Sequence, residues 1–293
     1  MEEIYVIDHE KEEARKIGNL SENDTIEIKK NKTPKQLAII NSKTQLGKLE
    51  QELGGYVQVY YVSQRLLYDN IPIDKANITR FLYLATYIDY DNREPNLLVI
   101  KNKKNELVPM TRKDMQIVMK LSKGQISKFL KEMKDNNLIF ETSNRFYIND
   151  NYATKGKMKK DNDCTRLYIN PIRNLYENCT SREHKLLSYI YQLIPFADYN
   201  TNFITINNEA ANIKTIMQLL GLSTNNKNAV NKFKKKMLQF HITYNDNEYY
   251  LFGAITREYA NNTDTRLVIN PRVLWSGNNL RISNKIFEDL MLK

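Results

Sequence analysis

Apolar and polar positions along the chain fall into short blocks, and the blocks run in the same order twice. In the first series Val57–Val62 alternates as a half-buried strand does. Ile78, Leu82, Leu84, Ala85 and Ile88 then put an apolar side on a helix. Leu97–Lys101 and Glu106–Met110 read as a hairpin across Asn102–Asn105. Thr111–Lys120 is a short helix with Thr111 as N-cap, and Leu121–Lys123 makes a turn. Gly124–Asn136 is the next helix, with Ile126, Phe129, Leu130 and Met133 at i, i+3, i+4 and i+7. Leu138–Glu141 and Arg145–Ile148 are strands around Thr142, Ser143 and Asn144.

The second series begins with a helix over Glu183–Ile194 and a short strand over Phe203–Ile206. Glu209–Leu220 contains another helix, Gly221–Thr224 its turn, and Asn225–Gln239 the helix after it. His241–Tyr244 and Tyr249–Ile255 read as a hairpin around Asn245–Asn247, and Arg266–Asn270 as one more strand. Ser283–Lys293 closes the chain as a short helix. The letters repeat along with the order. VYYVSQRLLYDN (Val59–Asn70) is echoed by RLYINPIRNLYEN (Arg166–Asn178), and SKGQISKFLKEM (Ser122–Met133) by NKNAVNKFKKKM (Asn226–Met237). A repeat of this length is a duplicated domain and not a solenoid unit.

Strand, helix, hairpin, helix, turn, helix and a two-stranded wing is the order of a winged helix-turn-helix. The expected fold class is therefore α+β: two tandem winged helix-turn-helix domains from an internal duplication, behind a small N-terminal α/β region. The boundaries read as 1–55 for an interaction or dimerisation region, 56–157 for the first winged domain and 158–293 for the second. In the first region Glu3–Ile7 and Thr25–Lys29 suit short strands. Thr33 and Pro34 suit a helix start, and Gly54-Gly55 a stop after Leu53. Ile39, Leu46, Leu49 and Leu53 form one stripe on that helix, either packing within the chain or forming a helical seam between two copies. The acidic run Asp8, Glu10, Glu12 and Glu13 reads as a solvated helix face.

Charge changes the picture next. The formal net charge is +10. Met1–Gly55 holds 11 acids and 9 bases, so the rest of the chain carries +12. A basic body points to a polyanionic partner, most often nucleic acid. Two cysteines, Cys164 and Cys179, make no disulfide framework and favour a reducing compartment. The N-terminus has no signal-peptide pattern, and no apolar run approaches the ~20 residues of a membrane helix. A cytoplasmic, soluble protein with no membrane partner is expected. His9, His184 and His241 are scattered, no metal-ligand spacing occurs, and no Gly-rich phosphate loop is present. No enzyme activity, cofactor or metal is expected.

In helix-turn-helix proteins the second helix enters the major groove, and the residues near its N-terminus reach base edges. In the first copy the side away from the core carries Ser122, Lys123, Gln125, Ser127, Lys128 and Lys131. In the second it carries Thr224, Asn225, Asn226, Lys227, Asn228, Asn231, Lys232 and Lys235. Asn pairs bidentately with adenine, and Lys with guanine or phosphate. Arg145 stands at the base of the first wing, where a cation reaches a phosphate or the minor groove. Lys155, Lys157, Lys159 and Lys160 form a basic linker that adds phosphate attraction.

The segment ISKFLKEMKDNNLIFETSNRFYINDNYATKGK (Ile126–Lys157) resembles the RepL-like winged-helix replication initiators of plasmids and phages from low-GC Gram-positive bacteria. The resemblance is carried by the helix ending, the Asn before an apolar strand, and the ending Tyr147-Ile148-Asn149-Asp150 with Lys155-Gly156. That ending recurs as Val268-Ile269-Asn270-Pro271 with Ser276-Gly277. It covers one unit well and its duplicate loosely, and nothing in Met1–Gly55 matches. The resemblance implies sequence-specific binding of double-stranded DNA at a replication origin. A repressor or activator with the same fold, and a winged-helix protein-interaction module, are the alternatives. A homodimer and host replication or transcription proteins are the further candidate partners.

Overall fold

The computed structural model describes residues 4–8, 13–18, 34–61, 73–90, 94–156, 164–259, 262–277 and 279–291. The architecture is mixed α+β, helices with small antiparallel sheets. The chain forms two compact units, Met1–Asn41 and Ser42–Lys293. In the first, β1 (Ile4–Asp8) and β2 (Glu13–Gly18) make an antiparallel hairpin with Asp8 opposite Glu13. Asp8 and Glu13 of the acidic run are thus strand residues and not part of a helix face. Ile, Tyr and Val before Asp8 favour extended backbone, and Glu10 and Glu12 lie outside the described residues. Thr25–Lys29 and Thr33 lie outside the described residues.

Helix α1 (Pro34–Glu52) ends where Gly54 and Gly55 take positive φ, 79° and 80°, and return N–H bonds to Gln51 O and Glu50 O. Glycine adopts such angles without the Cβ penalty of other residues. Leu46 and Leu49 from this helix and Leu53 just after it are buried with Tyr168, Trp275 and Leu280. The leucine stripe is therefore covered within the chain at these three positions, which leaves them unavailable as a seam for a second copy.

Strand β3 (Tyr56–Tyr60) leads to α2 (Lys75–Ala85), which Asp74 caps through Ala76 N at 2.8 Å. β4 (Val99–Lys101) and β5 (Leu107–Pro109) form the expected hairpin. α3 (Arg112–Val118) and α4 (Lys123–Asp135) follow, then β6 (Ile139–Thr142), β7 (Arg145–Ile148) and the short β8 (Ala153–Thr154). Ser143 and Asn144 at the β6–β7 turn both have positive φ, which closes a two-residue hairpin. β9 (Cys164–Tyr168) opens the second series, with α5 (Ile169–Asn178) and α6 (Ser181–Gln192) behind it. β10 (Thr205–Ile206), β11 (Glu209–Ala210), α7 (Ile213–Leu219) and α8 (Lys227–Met237) come next. The remainder is β12 (His241–Tyr244), β13 (Asn247–Tyr250), β14 (Phe252–Tyr259), β15 (Asn262–Ile269), β16 (Leu274–Trp275) and α9 (Leu280–Glu288).

One sheet joins the two series. Its order is β16-β9-β3-β8, and it is symmetric about its central pair, Gln58 opposite Arg166. Gln58 has Thr154 on its outer side, and Arg166 has Trp275. The flanking bonds match as well: Tyr60 N donates to Tyr152 O at 3.4 Å, and Tyr168 N to Val273 O at 3.0 Å. α2 packs on α6. Tyr83, Tyr176 and His184 stack between α2, α5 and α6, with ring centroids 3.9 and 4.1 Å apart.

The same bond set recurs around two asparagines. Asn96 and Asn202 are buried with φ of 62° and 54°. Asn96 Nδ2 donates to Ile148 O (3.1 Å) and Ala153 O (2.9 Å). Asn202 Nδ2 donates to Ile269 O (3.2 Å) and Leu274 O (2.7 Å). A second pair follows: Asn149 N donates to Leu138 O and Asn270 N to Leu251 O, both at 2.9 Å.

These matches correct the expected strand over Tyr249–Ile255. It is two strands broken at Leu251, because Leu251 is fully buried and its N–H turns to Phe240 O at 2.9 Å. Leu251 corresponds to Leu138, so β14–β15 corresponds to β6–β7. The β12–β13 hairpin around Asn245–Asn247 is an addition without counterpart. Tyr244 and Tyr249 fasten it to Phe287 of α9. α9 itself begins earlier than the apolar pattern implied, because Asn279 caps it through Ile282 N.

Candidate nucleic-acid interface

Helices α3 and α4 meet through Met115, Met119, Leu121, Ile126, Phe129, Leu130 and Met133, all buried. The turn between them depends on Lys120 at a φ of 53°, with Leu121 N donating back to Gln116 O at 3.1 Å. Gly221 does the same after α7 at a φ of 68°, with Leu222 N donating to Met217 O at 2.8 Å. This is the C-terminal closure of a helix by one left-handed residue. The second connection is longer, Leu220–Asn226 against Met119–Ser122.

Helix α4 starts well. Ser122 accepts from Gln125 N (3.3 Å) while Gln125 Oε1 accepts from Ser122 N (2.9 Å), a reciprocal cap. That cap offsets the poor helix propensity of Gly124, the second residue of the helix. Glu132 ties α4 to the start of α2, accepting from Asp74 N at 2.8 Å and from Asn77 Nδ2. A carboxylate at a helix N-terminus is favoured by the exposed N–H groups and the helix dipole.

Each residue expected at the interface on α4 is exposed: Ser122, Lys123, Gln125, Ser127, Lys128 and Lys131. They share one side of α4, opposite Ile126, Phe129, Leu130 and Met133. Two of them are engaged in the cap, and a third, Ser127, turns its hydroxyl back to Lys123 O at 2.9 Å. On α8, Asn225, Asn226, Lys227, Asn228, Asn231, Lys232 and Lys235 are exposed and Thr224 is half-buried. Asn226 is the N-cap, accepting from Asn228 N at 2.8 Å. Val230, Phe233 and Met237 form the buried side. The α8 sequence contains five lysines and no acid, so its field is wholly positive.

Arg145 stands on β7 as expected, but its guanidinium pairs with Glu94. That partner raises its pKa further above an already high value. Lys155 is half-buried, and burial together with the Arg173 charge lowers its pKa. Lys157, Lys159 and Lys160 lie outside the described residues.

The residues that position this surface were not among those picked out for chemistry. Asn96 and Asn202 hold each hairpin against its neighbour. Both precede an apolar strand, in Asn96-Leu97-Leu98 and Asn202-Phe203-Ile204, and that recurrence is their signal in the sequence. Lys234, whose counterpart in α4 is Leu130, reaches Thr265 Oγ1 of β15 at 3.2 Å. Asn231 and Lys235 line one wall of a groove of about 720 Å³, with Leu238, Phe252 and Leu290 on its apolar side.

Among the described residues no group of His, Cys, Asp and Glu is placed to hold a metal ion, and no helix is long and apolar enough to cross a membrane. Comparison with protein-family models, with curated proteins and with solved structures finds no match.

Proposed function

We propose that the chain is a sequence-specific double-stranded DNA-binding protein made of two winged-helix units that arose by internal duplication. One observation carries this reading. The two helix-turn-helix segments sit on equivalent hydrogen-bonded scaffolds, around Asn96 and Asn202, and each ends in a helix with an exposed basic and polar face. The wings are then β6–β7 and the longer β14–β15. Two readers in one compact unit raise the effective concentration of the second contact, by ~10²–10⁴ in avidity where the geometry lets both engage.

The role of an origin-binding replication initiator of a plasmid or phage rests on the likeness of Ile126–Lys157 to RepL-like proteins. A transcription regulator would need the same DNA contacts. Capture of sheared genomic duplex fragments by the purified full chain tests both. Enriched fragments inside the replicon's own origin support the initiator, and fragments at promoters support the regulator. No enrichment over input would sink the duplex-DNA reading and favour a protein-docking role for the two units.

A further inference from the structure

We infer that the two helices divide the work: α8 reads A·T base pairs through Asn228 and Asn231, while α4 anchors the phosphate backbone. The inference rests on the duplex-DNA reading above and goes beyond it in assigning different tasks to the two units.

The buried faces fix the comparison. Ile126, Phe129 and Met133 of α4 match Val230, Phe233 and Met237 of α8, and the N-caps Ser122 and Asn226 match too. In that frame three lysines recur position for position: Lys123 with Lys227, Lys128 with Lys232, and Lys131 with Lys235. All six are exposed and have no side-chain partner among the described residues. What is common to two readers of different sequences is the sequence-independent part of the contact, the phosphates.

The positions between the lysines differ. Where α8 has Asn228 and Asn231, α4 has Gly124 and Ser127. At about 100° per residue, Lys227 and Lys232 bound the exposed arc and Asn228 and Asn231 lie inside it in the first turn and a half; Lys235 shares the arc one turn further along, away from the helix N-terminus. Near the helix N-terminus, a side chain in the middle of the arc faces the groove floor, and one on its flank faces the groove wall, where the phosphates are. Asn228 and Asn231 are exposed, and their carboxamides have no partner among the described residues. Each retains both the donor and the acceptor that adenine N7 and N6 require.

Helix α4 offers nothing equivalent. Gly124 has no side chain. The Ser127 hydroxyl is turned onto Lys123 O, and Gln125 Oε1 is held by Ser122 N. Apart from the Gln125 amide nitrogen, its free polar groups are ammonium charges, which suit phosphate more than a particular base.

The probe for the test is a random-sequence duplex pool selected by the full chain. The wild type enriches a motif with adenines. Asn228→Ala with Asn231→Ala loses that preference, roughly five- to a hundredfold per bidentate pair, so that selected and unselected duplex are bound alike. Alanine is the better helix former at exposed positions, so this variant folds. Replacing Lys123, Lys128 and Lys131 with alanine weakens selected and unselected duplex by the same factor. It also lowers the log–log salt slope by about 0.9 per lost phosphate contact. In the selected duplex, 7-deaza-adenine reproduces the loss seen for the asparagine variant. A changed motif for the lysine variant, or an unchanged one for the asparagine variant, overturns the division of work while duplex binding stands. Failure of the wild type to enrich any duplex removes both readings together.

Discussion

Asn96 and Asn202 make the same Nδ2 bonds in the two halves of the compact unit: each takes a left-handed backbone angle and donates from Nδ2 to two carbonyls on neighbouring strands, while Thr154 Oγ1 donates to Asn96 Oδ1 and Asn202 Oδ1 is buried without a partner. Asn and Asp tolerate that angle better than most residues with a side chain, and of the two only Asn supplies two donors there. Asn202→Ala leaves Leu274 O and Ile269 O short of a buried donor and strains the backbone. The expected cost is about 2–4 kcal/mol of unfolding free energy, measured by urea titration. Asn202→Asp keeps the backbone preference and loses the donors, so it should also destabilise. A wild-type midpoint in both variants would contradict this account of the scaffold.

Gly253 and Phe140 occupy equivalent places on β14 and β6. A Cβ on Gly253 would come within 2.5 Å of Leu290 Cδ2 and 2.7 Å of Val268 Cγ1. Phe140 is 44% exposed. Leu290 of the C-terminal segment therefore lies against β14 at Gly253, and among the described residues nothing covers Phe140 of β6 to the same extent. Gly253→Ala is expected to lower stability by about 1–3 kcal/mol through overpacking. Phe140→Ala is expected to cost less than Gly253→Ala, and thermal melts of the two variants compare them directly.

His184 gives the fold an acid-side weakness. Its Nε2 lies 3.1 Å from Tyr176 O, so in the neutral ring Nε2 carries the proton. Nδ1 is buried with no hydrogen-bond partner. Burial, above all, lowers its pKa; Arg80 and Lys120 act the same way, while the Tyr176 carbonyl and Glu183 oppose them. The folded state thus binds fewer protons than the unfolded one. The stabilising contribution is complete above the unfolded value near 6.5 and is lost as the pH falls below it. The urea midpoint should drop between about pH 7.5 and about pH 5.5, and His184→Phe, which keeps the stack on Tyr176, should flatten that drop.

Lys123 and Lys227 are the first residues of α4 and α8. Changing both to Glu puts two carboxylates where the DNA reading requires cations. Duplex binding should fall by at least a hundredfold, about 2.8 kcal/mol, with the melting temperature unchanged because both side chains are exposed. Electrophoretic mobility shift at several salt concentrations measures it. Unchanged affinity would remove these residues from the interface.

Local chemistry was legible in the sequence where it is decided locally. The buried face Ile126, Phe129, Leu130 and Met133, the Thr111 cap and the Gly54-Gly55 stop depend on residues within one or two turns of each other, and a one-dimensional pattern contains them. Among the expected interface residues, exposure followed from the same periodicity. What those side chains do did not: Ser122 and Gln125 bond to each other, and Arg145 bonds to Glu94, a partner 51 residues away.

By itself, then, the sequence determined the helices, their apolar faces and the repetition of the series. Tertiary structure alone decided which hairpin of the second series matches β6–β7, because Tyr249–Ile255 alternates well enough to be one strand until Leu251 is buried. It alone decided that Leu46, Leu49 and Leu53 have a partner surface in Tyr168, Trp275 and Leu280. It alone set Gln58 opposite Arg166 at the centre of the sheet. Strand pairing and helix docking join residues far apart in the chain. Their free energy comes from burying two complementary surfaces together, and a pattern read along one dimension holds only one of those surfaces at a time.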